Sequence, residues 1–206
     1  DFQSRTWQKA VFVDVNDANI KLSDTFRELN HYLGPHVLIA DPYYLNNIRV
    51  NETTQELVLT DCQISLLDAI AYSAVNGELS NVTIMGFNGR ANDHFERVDQ
   101  QPGTTTQQRF DRYRTLLNGF ISQNRLGQYL QPSSLNFVNS PTDFHNRYWF
   151  SVSEDKRRLE RCVIVTTSIG NMFEVDFMPV TDPQQLAQIT MKFLQLYNLS
   201  SNELSI

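Results

Sequence analysis

The stretch His36-Val-Leu-Ile-Ala-Asp-Pro-Tyr-Tyr44 decides the fold class. Its first five residues form a short apolar run that Asp41-Pro42 closes, which is typical of a buried strand. A helical pattern precedes the run. Apolar residues recur at helical spacing over 24–33, Ser23 is suited to the N-cap, and Gly34-Pro35 ends the helix. A helix that leads directly into a buried strand is a unit of an α/β fold.

The same alternation continues on both sides of this stretch. We expect a buried strand that ends near Asp14, a short strand or loop edge at 57–59, strands over 81–87, 135–138, 147–152 and 161–166, and helices over 62–76, 107–130 and 182–198. The polar region 88–106 lacks both periods and is interpreted as a loop. Strands that alternate with helices predict an α/β fold with a mixed β-sheet flanked by helices.

Length and composition predict one domain. The chain has 206 residues, of which 41% are hydrophobic, and this is enough for one sizeable core. No stretch is dominated by Gly, Ser, Pro or one sign of charge, so we expect a single α/β domain over 1–206 without an internal linker. The first residue is Asp rather than Met, which is consistent with a piece of a longer protein.

The net charge of −6 argues against a surface that binds nucleic acid through bulk electrostatics, because such domains are usually strongly basic. Basic residues do cluster within 156–161 and at Arg109, Arg112 and Arg114, and we interpret both groups as solvated faces. The two cysteines make no disulfide framework, and no run of about 18 apolar residues predicts a membrane span. We therefore expect a cytoplasmic protein without a membrane partner.

Among the four histidines, His145 lies in a setting that suggests chemistry. It stands two residues before Arg147 at the start of a predicted strand, so alternation places both side chains on one face. An imidazole can attack phosphorus while a neighbouring cation holds the phosphate oxygens. We interpret His31, His36 and His94 as structural or solvated residues, since the spacing around His94 fits no metal-ligand motif.

The segment Phe144-His-Asn-Arg-Tyr-Trp-Phe-Ser-Val-Ser-Glu-Asp155, followed after a strand by Thr167-Ser-Ile-Gly-Asn171, resembles the signature of the phospholipase D superfamily. That signature is His-x-Lys, then an acidic residue, then Gly-Ser-x-Asn or a close variant. The turn Asp41-Pro-Tyr43 is similar to one near the start of some prokaryotic phospholipase D-like domains, including variants with His-x-Arg. The resemblance implies a phospholipase D-like half-unit of the kind found in prokaryotic restriction and antiphage defence proteins.

The resemblance implies catalytic roles for the first part of the signature. His145 would be the nucleophile that forms a covalent phosphohistidine, and Arg147 would take the place of the phosphate-binding lysine. Either Glu154 or Asp155 would fill the acidic position, and the alternatives stay open. No metal and no cofactor are implied.

The second part of the signature implies a phosphate site. Ser168 and Asn171 would be its polar residues, although one additional residue separates them and Thr167 stands in place of the motif's Gly. Asp41 follows a strand directly, at the end where ligands collect in α/β sheets, so it is a further candidate for the phosphate-binding pocket. A plain turn-forming role explains Asp41 equally well.

The phosphohistidine chemistry needs a second histidine, which acts first as general acid and then as base for the attacking water. The family obtains it from two copies of the motif in one chain or from a homodimer, and this chain shows one copy. We therefore expect a homodimer or a second domain that completes the site. The expected function is that of a phosphodiesterase, a nuclease that acts on DNA or RNA. The alternative is a catalytically inactive module for assembly or ligand sensing in a larger defence protein.

Overall fold

The computed structural model describes residues 9–17, 21–44, 49–51, 53–54, 56–87, 111, 114–115, 118–119, 122 and 135–202. Its main feature is a seven-stranded sheet of parallel and antiparallel strands, with helices packed on both faces. The α/β class with a mixed sheet flanked by helices is therefore confirmed.

The strands lie at β1 Val11–Asp14, β2 His36–Ala40, β3 Arg49–Val50, β4 Leu57–Val58, β5 Asn81–Gly86, β6 Leu135–Asn139, β7 Arg147–Val152, β8 Leu159–Val165 and β9 Glu174–Pro179. The helices that the described ranges contain in full are α1 Leu22–Leu33, α2 Asp61–Val75, α3 Pro183–Asn202 and a short 3-10 helix, Ile169–Asn171. Strands β3 and β4 pair only with each other, and the other seven form the main sheet.

The strand order of the main sheet is β1-β9-β8-β7-β2-β5-β6. β2 is parallel to β5 and antiparallel to β7, and β7 is antiparallel to β8. Ala40 at the end of β2 therefore pairs with Tyr148, and Arg147 at the start of β7 pairs with Val165. As a result, the last residues of β2, the first residues of β7 and the last residues of β8 meet at the same end of the sheet, along the direction of the strands.

The two faces of the sheet carry separate cores because side chains alternate along each strand. On one face Trp149 stacks against Phe26 of α1 with ring centroids 5.4 Å apart, and α2 completes this core. On the other face Phe150 and Phe144 pack against Phe193 of α3. Each fully buried side chain of this size contributes about 1.5–3 kcal/mol to stability.

Two expectations near the amino-terminal end of the described chain were wrong. Helix α1 begins at Leu22 with Lys21 at the N-cap, so Ser23 is inside the helix. The reason is that Leu22 is only 7% exposed and its burial extends the first turn toward the chain start. The strand predicted to end near Asp14 is β1, which does end there, but it is not fully buried, because it lies at the edge of the sheet and pairs only with β9, which leaves Phe12 57% exposed.

The buried face of α2 is broad. Gln63, Leu66, Leu67, Ile70 and Ala71 are buried, whereas Val75 at the end of the helix is 58% exposed. Thr60 begins the helix with a capping box, in which its hydroxyl accepts from the Gln63 backbone N–H and the Gln63 side chain accepts from the Thr60 N–H. Gly77, with φ of +74°, ends the helix as expected.

The loop predicted over 88–106, with His94, lies outside the described residues. Of the helix predicted over 107–130, the described positions 111, 114, 115, 118, 119 and 122 are helical, and the rest lie outside. Strand β9 had no counterpart in the sequence expectations. The strands predicted over 135–138, 147–152 and 161–166 are confirmed, with β8 beginning two residues earlier than expected.

Candidate functional site

Four of the candidate residues come together at the end of the sheet where β2 ends. Asp41 is the first residue after β2, Arg147 is the first residue of β7 with His145 two residues before it, and Ser168 follows β8. The antiparallel pairing of β7 with both β2 and β8 places these chain ends side by side. Phe144 anchors the approach to β7 by packing edge-on against Phe193, so the next residue, His145, is presented to solvent.

Tyr43 joins the two residues of the His-x-Arg motif. Its hydroxyl oxygen lies 2.8 Å from Nδ1 of His145, and the two rings meet edge-on with centroids 5.9 Å apart. The guanidinium carbon of Arg147 lies 5.1 Å from the centroid of the same tyrosine ring. An imidazole and a cation therefore contact one aromatic side chain.

Arg147, the first residue of β7, is half-buried. Its Nη1 donates to the carbonyl oxygen of Thr166 at 3.0 Å. Its Nε atom is buried and has no hydrogen-bond partner among the described residues. A buried N–H without an acceptor costs about 1–3 kcal/mol. The fold thus holds a guanidinium beside His145 with part of its donor capacity unused.

Asp41 is buried, with 1% of its surface exposed, and it ties three parts of the site together. Its Oδ2 accepts from the Ser168 hydroxyl at 2.8 Å and from the Ile169 N–H at 2.9 Å, and its Oδ1 accepts from the Tyr43 N–H at 3.0 Å. Burial raises the pKa of the Asp41 carboxyl above its ordinary value, while the hydrogen bonds and the charge of Arg147 oppose this. Asp41 and Ser168 therefore fix the positions of the surrounding segments.

Helix α2 supports the turn that carries Tyr43. The buried Gln63 side chain donates from Nε2 to the carbonyl oxygen of Tyr44 at 3.1 Å, and it also belongs to the capping box of α2. The Cys62 thiol contacts the carbonyl oxygen of Met172 at 3.7 Å, so the start of α2 also contacts the chain after Ser168. Sequence reasoning missed both Tyr43 and Gln63 as site residues, although Tyr43 stood within the Asp41-Pro-Tyr turn.

Glu154 and Asp155 are placed at the opposite end of β7 from His145. The six residues of β7 span about 17 Å at ~3.3 Å per residue. Asp155 accepts from the Ser153 hydroxyl at 2.5 Å and from the Arg157 N–H at 3.1 Å, and these bonds lower the pKa of its carboxyl. Both residues line a groove of about 820 Å³ at that end of the sheet. The structure therefore does not bring them to the His-x-Arg pair.

The segment Thr167-Ser-Ile-Gly-Asn171 forms the turn after β8. Ser168 precedes the short 3-10 helix and its hydroxyl accepts from the Gly170 N–H at 3.4 Å. The Asn171 backbone belongs to this helix, and its side chain lies outside the described part of the structure. Of the two polar residues expected at a phosphate site, Ser168 lies at the same end of the sheet as Arg147 but is buried against Asp41.

Within the ranges that the structure describes, no three His, Cys, Asp or Glu side chains are grouped as a metal site requires. Among the helices in those ranges, none is both long and apolar enough to cross a membrane. Comparison of the sequence with models of protein families gives no match, and no curated protein matches it.

Proposed function

We propose that the chain is a phospholipase D-like half-unit and acts as a metal-independent phosphodiesterase, with nucleic acid as the first substrate class to test. The observation that carries the proposal is the solvent-exposed His145, held through Nδ1 by Tyr43 and placed beside the Arg147 guanidinium. The resemblance of the two sequence segments to the superfamily signature supports the same reaction.

In the proposed reaction the Nε2 atom of His145 attacks phosphorus, because Nδ1 is held by Tyr43. A P–N bond forms, the bond from phosphorus to the leaving oxygen breaks, and that oxygen receives a proton from a general acid. Water then attacks the phosphohistidine, gives its proton to the same group acting as base, and releases the histidine. We propose that the acid and base comes from a second copy of the chain or from another domain.

Arg147 has the charge and geometry to bind the phosphate oxygens of the substrate. Its guanidinium can donate two parallel hydrogen bonds to the non-bridging phosphate oxygens, whose negative charge grows as the nucleophile approaches. Its contacts with Thr166 and Tyr43 hold it in place, so little reorganisation is needed when a substrate binds. Asp41 and Ser168, both buried, would act by fixing the turn that carries Tyr43 and the chain that follows β8.

Phosphodiesterase activity of purified wild type and His145→Ala tests the proposal. A chromogenic bis-phosphoester and single- and double-stranded DNA and RNA would serve as substrates, with EDTA present. We expect wild-type activity to survive EDTA and His145→Ala to lose at least about 1,000-fold, as expected when a nucleophile is removed. His31→Ala is the matched control, since His31 is an exposed histidine on α1 that contacts Glu78. Equal activity of His145→Ala and wild type would refute the proposed mechanism.

A second candidate function is that of a catalytically inactive module for assembly or ligand sensing in a larger defence protein. The burial of Ser168 against Asp41 favours it, because a substrate phosphate could not reach the Ser168 hydroxyl without displacing that contact. This candidate predicts that a verified dimer has no activity on any of the substrates. A ligand-sensing module would bind an oligonucleotide or nucleotide without turnover. An assembly module would keep its assembly intact in His145→Ala.

A further inference from the structure

Tyr43 is held on several sides, so its hydroxyl has a defined position. The backbone N–H of Tyr43 donates to Asp41, and the carbonyl of the next residue, Tyr44, accepts from Gln63. The Arg147 guanidinium covers one face of the ring, and the His145 imidazole meets it edge-on. Moving the phenol away from His145 would require these contacts to be broken or rearranged together.

The tautomer of His145 determines which of its nitrogens can react, and the Tyr43 hydroxyl, which can donate to Nδ1 or accept from it, faces Nδ1. A neutral imidazole carries one proton, and the partner of one nitrogen decides where that proton lies. Attack through Nε2 requires a lone pair there and therefore a proton on Nδ1. Once Nε2 is bonded to phosphorus the ring is cationic, and the Nδ1–H can only donate. The facing atom is the Tyr43 oxygen at 2.8 Å, which has lone pairs to accept it.

We propose that Tyr43 is the positioning residue that keeps the proton of neutral His145 on Nδ1 and leaves the lone pair on Nε2. This inference deepens the proposed function and rests on it. Tyr43 takes the orienting position that a carboxylate holds beside histidine in other enzymes. It touches no substrate atom in this role and acts through His145.

Nitrogen-15 NMR of His145 tests the inference without any turnover, because the two tautomers of a neutral histidine have distinct nitrogen shifts. In wild type we expect the Nδ1–H form to dominate. In Tyr43→Phe, which keeps the ring and removes the hydroxyl, we expect the Nε2–H form, which neutral imidazole favours without a partner at Nδ1. Tyr44→Phe removes a hydroxyl from the neighbouring residue, whose ring packs on Phe137, and is expected to leave the tautomer unchanged.

A wild-type spectrum dominated by the Nε2–H form would overturn the inference, and so would a tautomer ratio that Tyr43→Phe leaves unchanged. Kinetics separate this from failure of the proposed function. If the chain is a phosphodiesterase, Tyr43→Phe should lower kcat by about 10- to 100-fold with KM nearly constant, the loss expected for a hydrogen bond to a charged group. Full activity in His145→Ala would refute the phosphohistidine mechanism alone, since the spectra report on Tyr43 independently.

Discussion

Replacing Asp41 with Asn exchanges one buried carboxylate oxygen for an amide nitrogen. Three donors point at the carboxylate: the Ser168 hydroxyl and the Ile169 N–H at Oδ2, and the Tyr43 N–H at Oδ1. A protonated carboxyl keeps all three contacts, because its O–H can donate to Ser168 while the same oxygen accepts from Ile169. The amide cannot do this. In either orientation of Asn, one of the two backbone N–H groups loses its acceptor, which costs about 1–3 kcal/mol of stability.

The effect of Asp41→Asn should depend on pH in a defined direction. Burial raises the pKa of the Asp41 carboxyl, so between its ordinary value of 3.8 and the raised value the folded state binds more protons than the unfolded state. Wild-type stability from this group is therefore present below that window and falls as pH rises through it. Asn does not titrate. The difference in free energy of unfolding between wild type and Asp41→Asn should be largest at about pH 4 and should become smaller as pH increases.

Urea unfolding followed by circular dichroism at several pH values measures both effects. Asp68→Asn is the matched control, because Asp68 is exposed on α2, and it should shift the free energy of unfolding by less than about 0.5 kcal/mol. Equal stability of Asp41→Asn and wild type at about pH 4 would refute the hydrogen-bond argument. A difference that widens with rising pH would refute the argument from burial.

Two further predictions concern elements that support the site. Gly34→Ala should lower the free energy of unfolding by about 1–3 kcal/mol or more, because its Cβ would lie 2.3 Å from the Glu78 carbonyl oxygen and 2.8 Å from that of Asn30. The control Gly119→Ala lies at a helical position where no atom of the described residues is within 4 Å of the added Cβ, so it should raise stability by up to about 1 kcal/mol; thermal unfolding in which both variants shift alike would contradict this. Thr60→Ala should cost about 1 kcal/mol by removing the N-cap of α2 while Thr60→Ser retains most of it, and urea midpoints that are equal for the two would contradict the cap.

The sequence predicted the elements whose signal is local. The apolar run of β2 stops at Asp41-Pro42, and the aromatic run of β7 occupies 147–152 as expected. β9 was missed although its side chains alternate in burial. Val175 and Phe177 are buried, and Glu174, which precedes them, is exposed. The exposure of Phe12 was not predicted, because an apolar strand residue does not reveal whether its strand is central or at an edge of the sheet.

The candidate site was predictable where it depended on strand ends. Asp41, His145, Arg147 and Ser168 each adjoin a strand terminus, and the sheet brings those termini together. Tyr43 could not be assigned, because its contact with His145 joins positions 102 apart along the chain. Gln63 was hidden for a different reason: a glutamine in a helix is ordinarily exposed, and its burial depends on the turn that it contacts.

Glu154 and Asp155 show that closeness in sequence does not give closeness in space. They follow His145 by nine and ten residues in the sequence, yet the intervening extended strand carries them away from it. Asp41, a carboxylate that does lie at the same end of the sheet as Arg147, comes from a distant part of the chain and was recognised through its position after a strand.

The position of β2 inside the sheet, between β7 and β5, has a consequence for how the protein is made. A growing chain folds from its amino-terminal side, and β2 can pair with β5 long before β7 has been synthesised. Until then the other edge of β2 has unpaired backbone groups, which are a template for aggregation. The contact between Asp41 and Ser168 closes a loop of 127 positions and can form only after that edge is covered. Nascent chains and truncated fragments that end before β7 should therefore depend on chaperones that shield an open strand.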